Sequence, residues 1–349
     1  DNSALATPFT YTGGSYPGTN GTCGTSIDQS TSVSATCTLD LTFTPTAQGV
    51  FSKQLSFAYN DGTGSKNITS NMLYGTGIGE KVETAGAPVA NGNFGAALAV
   101  SANVAIVGQP YVAGTLSSGS VSIYRYLSSG WTRETTFTSG TGQTNDQFGA
   151  AVDISGDFAI VGSPLEDVSS TNTSFNDGAA RIYQFNGSSW VQGVKLYQTC
   201  SGSSSGDQFG FSVAIDGMKA IVGNPYDNWT SSDRGSVTIY VFDGTDWQKT
   251  CIEQSGVTTD SNFGYSVDIS GDTAVVGAPG QDKVYVYHYS GGTTWTLLQT
   301  LVGSNTVSGD RFGHSVSIKG DVIAVGAPRQ ANGYTSNVGT GYIFRNTRM

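Results

Sequence analysis

Hydrophobic and polar residues alternate along this chain with the period of β-strands. Phe148, Ala150, Val152 and Ile154 alternate with Gly149, Ala151 and Asp153, a period of two that predicts a strand. Ser155-Gly156-Asp157 follows as a tight turn, with glycine where a positive φ is needed. Phe158 to Val161 is apolar without a break, which predicts a strand covered on both faces, and Gly162 and Pro164 end it. After a polar loop "ARIYQF" alternates again, Asn186-Gly187 turns the chain, and Trp190 opens a more polar strand suited to an outer edge. This stretch therefore predicts a four-stranded antiparallel sheet.

The same pattern is written five times. "FGAALAVSANVAIVGQP" starts at Phe94, "FGAAVDISGDFAIVGSP" at Phe148, "FGFSVAIDGMKAIVGNP" at Phe209, "FGYSVDISGDTAVVGAP" at Phe263 and "FGHSVSIKGDVIAVGAP" at Phe312. Each runs 17 residues from Phe to Pro, and the Phe residues are 54, 61, 54 and 49 apart. That period suits a blade of a β-propeller. The third strands read "VSIYRY", "ARIYQF", "VTIYVF", "VYVYHY" and "GYIF", and the fourth strands open at Trp131, Trp190, Trp247 and Trp295. The repeated Trp predicts packing between blades.

The FG…GAP pattern resembles the FG-GAP repeat of integrin α-subunit propellers and their bacterial relatives, over residues 80–349 or so. The resemblance implies an all-β propeller over 79–349, with blades starting near residues 94, 148, 209, 263 and 312 and ordered from inner to outer strand. Residues 79–86 read as an outer strand without a blade of its own: Val82 lies twelve residues before Phe94, as Leu301 lies eleven before Phe312. Donated to the last blade, that strand would close a ring of five and remove exposed sheet edges. The alternative is a piece of a longer protein with six or seven blades; integrin-type propellers have seven.

Residues 1–78 carry no copy of the repeat. "CTLDLTFTP" and "KQLSFAYNDG" alternate around the turn "TAQGVF", which reads as part of an antiparallel sandwich. The segment is similar to the C-terminal half of the immunoglobulin-like domains related to the ASPM–SPD-2–Hydin family. Either the chain is a fragment or another chain supplies the missing strands by β-augmentation.

Composition narrows the function. Charged residues make up 12% of the chain and the net charge is −10, without a basic cluster; a nucleic-acid binder needs a basic surface. No apolar run approaches the ~20 residues of a membrane-spanning helix. Cys23 and Cys37 flank a short polar loop and suit a disulfide, and Cys200 and Cys251 are candidates for a second. Both would favour a secreted or cell-surface location. With no CxxC and two histidines, His288 and His314, a zinc site is not expected.

Loop lengths point to the working surface. From the Pro that ends each copy to the third-strand aromatic the steps number 14, 19, 15, 8 and 16, whereas the other connections hardly vary. Function favours loops on a rigid frame, and the integrin resemblance implies partner binding on the same face. The candidate ligand-binding residues there are Glu166, Asp167 and Asp177 in the second blade and Tyr226, Asp227, Trp229 and Asp233 in the third. Integrin-type repeats often hold calcium in an Asp-rich loop between the first two strands. Here that turn is "SGD", "DG" or "KGD", too short for the 6–8 oxygens calcium prefers, so no cofactor is expected; the loops between strands two and three are the weaker alternative place for such an ion.

Asp153 and Asp268 are the main acids of the inner strands, and no Ser/His/Asp set accompanies them, so the chain reads as a non-enzyme. The expected function is adhesion: a secreted or cell-surface protein that grips a protein partner through the loops between strands two and three. A glycan-binding lectin is one alternative. The other is a structural subunit that self-associates through its incomplete sandwich.

Overall fold

In the computed structural model the repeats fold as antiparallel sheets, and the chain is all-β with no helix among the described residues. Those residues are 9–11, 41–44, 49–60, 65–77, 92–111, 118–127, 130–140, 145–167, 176–198, 206–228, 233–253, 256–331 and 338–345. The chain divides into two units, Asp1–Glu83 and Thr84–Met349.

In the first unit Phe9–Tyr11 pairs with Leu41–Phe43, with Phe9 opposite Phe43 and their rings 4.8 Å apart. A second antiparallel pair joins Gly49–Asn60 to Ser65–Gly77.

The second unit holds five repeated sheets. The first comprises Ala97–Ser101, Val104–Gln109, Ser120–Leu127 and Gly130–Thr138; the second Ala151–Ser155, Phe158–Ser163, Ala179–Phe185 and Trp190–Tyr197. The third comprises Ser212–Asp216, Lys219–Asn224, Ser236–Phe242 and Trp247–Ile252; the fourth Ser266–Ser270, Thr273–Ala278, Lys283–Gly291 and Thr294–Leu301. In the fifth, Ser315–Lys319, Val322–Ala327 and Thr340–Arg345 form a three-stranded sheet. Strand order within each is sequential, and each inner strand lies beside that of the next blade. The second strands of the second to fourth blades are covered on both faces, as their apolar runs predict.

The repeat motif is a lock between blades. Phe148, Phe209, Phe263 and Phe312 are fully buried, and each clusters with apolar residues of the blade before its own. The glycine after each Phe has a φ near +90° and turns its carbonyl onto the preceding blade. That carbonyl lies where a Cβ on Gly108, Gly162, Gly223 or Gly277 would stand, 2.1 Å away. The "FG" of one blade thus needs the "G" of the previous "GAP". Polar latches repeat at the other end of the inner strand: Ser101, Ser155 and Ser270 Oγ and Asp216 Oδ2 accept the N–H of Gly156, Gly217, Gly320 and Gly271, each in the next blade.

The repeated Trp residues pack within their own hairpin as well as between blades. Trp131, Trp190, Trp247 and Trp295 each face an aromatic across their own hairpin, at ring distances of 5.4, 5.5, 5.3 and 5.1 Å to Tyr126, Phe185, Phe242 and Tyr289. Contact between blades follows at three of them: Trp190 Nε1 donates to Glu134, the Trp247 ring meets Phe158, and Trp295 joins the cluster of Ile239 and Ile252 in the third blade.

The two ends of the array are bare. Val100 is 67% exposed, whereas its equivalents Ile154, Ile215, Ile269 and Ile318 are 3–4% exposed. At the other end Ile343 is 73% exposed, against 0–4% for Ile123, Ile182, Ile239 and Val286. A closed ring of five would bury both faces against one another. The strand expected to make that closure, 79–86, lies outside the described residues.

Candidate recognition site

Antiparallel order puts the loops between strands two and three, and the connections that lead into each new blade, at one end of the array. Every blade begins there with a non-glycine residue in the left-handed region: Asn93, Gln147, Gln208, Asn262 and Arg311, with φ from 51° to 60°. Such conformations are uncommon and cost on the order of 1 kcal/mol each. They repeat because each opens a tight turn whose carbonyl accepts the N–H three residues on, at Ala96, Ala150, Phe211, Tyr265 and His314.

The third residue of the motif differs between blades: Ala96, Ala150, Phe211, Tyr265 and His314. In the third to fifth blades it builds a half-buried aromatic row. Tyr226 meets Phe211 edge-on at 5.8 Å, Phe211 meets Tyr265 at 5.0 Å, and Tyr265 meets His314 at 5.0 Å. The Tyr265 hydroxyl lies 3.4 Å from His314 Nε2. Burial, then the charges of Arg311 and Arg329, hold the His314 pKa below its ordinary value. Burial raises that of Tyr226, aided by Tyr265 and Asp233.

The structure spreads the sequence-predicted residues between inside and outside. Tyr226 is half-buried at the end of the row. Glu166 and Asp227 are inside. Arg181 grips Glu166 with two hydrogen bonds of 2.6 and 2.8 Å, and Lys195 Nζ lies 2.6 Å from the same carboxylate. Asp227 accepts from Gln198 Nε2 at 2.9 Å. Both residues also anchor their loop through the backbone, since Glu166 and Asp227 carbonyls accept from Gly178 and Gly235. The same seat recurs in the last two blades with other chemistry: Tyr285 donates to Gln281 and Tyr342 to Gln330.

Asp167 accepts the Asn176 N–H, and Asp177 is half-buried with its pKa raised by burial and by the Asp167 charge. The Asp177 carbonyl receives the Phe209 N–H of the next blade. Asp233 takes a left-handed φ of 50°, and its N–H donates to Asn228 Oδ1. Trp229 lies outside the described residues, as do Cys23, Cys37 and Cys200; Cys251 is disulfide-bonded. Among the described residues no group of His, Cys, Asp and Glu has the arrangement of a metal site.

Phe211, Tyr265 and Arg311 were not among the sequence candidates. The signal was there: after an unchanging Phe-Gly pair the five copies read Ala96, Ala150, Phe211, Tyr265 and His314.

Deeper in the array the inner-strand acids act as ties. Asp153 accepts N–H groups from Ile154 and, in the next blade, Ile215; Asp268 does the same with Ile269 and Ile318. Burial raises the Asp153 pKa to about 6 against the two N–H bonds, and the Asp268 and Asp216 charges add to it. A carboxyl whose pKa is higher folded than unfolded contributes most stability in acid and loses it as pH rises through the folded value. Between pH 4 and 6.5 wild-type stability should therefore fall, from this group, by on the order of 2 kcal/mol. The Asp153→Asn chain should lack that slope. Urea midpoints at several pH values test this, and parallel profiles for the two proteins would refute it.

The FG-GAP repeat family matches residues 131–183, 190–242, 248–291 and 295–344, more than half of the chain. The chain belongs to the FG-GAP repeat family. The family unit is staggered against the blade, since a match such as 131–183 takes the outer strand of one blade and the first three of the next.

No curated protein matches the chain. Among solved structures it is similar to a functionally unknown protein from Desulfotomaculum acetoxidans, at 12% identity and a TM-score of 0.38, covering 68% of this chain and 66% of that one. It is similar to the periplasmic gluconolactonase PpgL of Pseudomonas aeruginosa at 13% identity and a TM-score of 0.47, covering 79% and 76%. Sqt1 from Chaetomium thermophilum matches at 11% identity and a TM-score of 0.39, over 68% and 67%. The sequence-based expectation of a non-enzyme is corrected here, because a protein named for an enzyme activity is among the similar structures. At that distance the likeness assigns no reaction to this chain.

Proposed function

We propose that this FG-GAP protein is a secreted or cell-surface recognition protein that grips a protein partner at the end carrying the loops between strands two and three, much as integrin-like propellers present a loop face. The observation that carries this reading is the aromatic row at the loop end of the repeated frame, where Ala96 and Ala150 become Phe211, Tyr265 and His314 at equivalent positions. Half-buried Tyr and Phe beside Arg are the residue types that dominate protein interfaces. The disulfide at Cys251 supports an exported location.

Binding of the labelled chain to intact cells of its source tests the reading. Saturable binding is expected, lost after protease treatment of the cells and kept after periodate oxidation of their glycans. Tyr226→Ala combined with Tyr265→Ala should abolish it. Thr245→Lys, in the exposed turn at the opposite end of the third blade, should not. Loss on periodate treatment instead would replace the protein partner by a glycan.

A further inference from the structure

Arg311 stands out among its repeat equivalents. The other four positions hold Asn93, Gln147, Gln208 and Asn262. Gln147 donates to the Tyr111 hydroxyl and Asn262 to the Pro225 carbonyl. Arg311 is half-buried, yet among the described residues its guanidinium has no ion pair and no side-chain hydrogen bond. Among the described residues its five N–H donors, a fixed fork, meet no acceptor beside the aromatic row. Arg311 acts electrostatically on both Tyr226 and His314, and Arg329 adds a second positive charge at the His314 end. In a chain of net charge −10, this is a local basic spot beside the row.

Resting on the recognition reading above, we infer that this row binds a carboxylate side chain of the protein partner, received by Arg311, with an apolar neighbour of that acid seated on Phe211 and Tyr265. A planar guanidinium takes a carboxylate through two parallel hydrogen bonds. Half-buried rings nearby lower the water content of the site and so strengthen that pair. Asp233, at the Tyr226 end, directs the acid toward Arg311 and away from itself.

Fluorescence anisotropy with the full chain and a fluorescein-labelled glutamate–tyrosine copolymer tests the inference. Saturable binding is expected, with no binding of a lysine–tyrosine copolymer. Arg311→Gln restores a residue that Gln147 and Gln208 already carry in the same backbone conformation, so it should fold normally. It should weaken binding about tenfold or more. Phe211→Ala and Tyr265→Ala adopt the alanine of the first two blades and should weaken it as well. Lys319→Gln removes a charge at the far end of the same inner strand and should change nothing.

Equal affinity of wild type and Arg311→Gln would overturn the inference, as would polygalacturonate competing as well as the copolymer. If the copolymer fails to bind while the Tyr226/Tyr265 double variant still loses cell binding, the carboxylate inference falls and the recognition reading stands. Failure of both measurements removes both.

Discussion

Gly223→Ala is expected to destabilise the array by about 3 kcal/mol or more, while Gly326→Ala, the same change at the same repeat position, costs under about 1 kcal/mol. Both glycines stand next to last in a second strand, in the "GNP" of the third copy and the "GAP" of the fifth. A Cβ on Gly223 would stand 2.1 Å from the Gly264 carbonyl oxygen of the next blade. Backbone cannot yield there without parting two sheets whose shared cluster includes Ile221, Ile239 and Phe263. A Cβ on Gly326 meets only Ser315 of its own blade, nearest at the hydroxyl, which can rotate away. Chemical denaturation of the two variants beside wild type reads the difference. An equal loss at Gly326 would mean that this face also carries a neighbour, and the bare end would have to be abandoned.

The second large effect concerns Glu166. Glu166→Ala should cost about 3–5 kcal/mol, because it leaves the buried Arg181 guanidinium without its carboxylate. Arg181 lies 5.5 Å over the Phe148 ring and also donates to Ser163, so it cannot leave without opening the junction to the first blade. The double variant Glu166→Leu with Arg181→Met removes both charges and should recover most of that loss. Lys195 remains, and its partly exposed ammonium can turn to water. Thermal melts of the single and double variants settle the matter. A double variant no more stable than Glu166→Ala would show that the pair holds the loop by shape and hydrogen bonding, not by mutual neutralisation of charge.

Much of the architecture was legible from residues alone. The alternation from Phe148 to Ile154 became the strand Ala151–Ser155, and the unbroken run from Phe158 to Val161 became a strand covered on both faces. Unequal loops marked the end where residues vary. The fate of individual polar residues was not legible. Glu166 and Asp227 sit in polar loop sequence, and nothing nearby tells an outward carboxylate from one tucked beneath. The answer depends on Arg181, fifteen residues on in a neighbouring strand, and on Gln198 in the fourth strand.

The chain's own order of residues thus determined the repeating sheet, its turns and the aromatic positions, because a period of two and a turn glycine act over a few neighbours. Only the tertiary structure decided which acids became internal ties, which glycines admit the next blade's carbonyl, and that Tyr226, Phe211, Tyr265 and His314 form one row across three blades. Those outcomes rest on contacts between sheets about fifty residues apart, where packing distance and desolvation select among side chains that look alike along the chain.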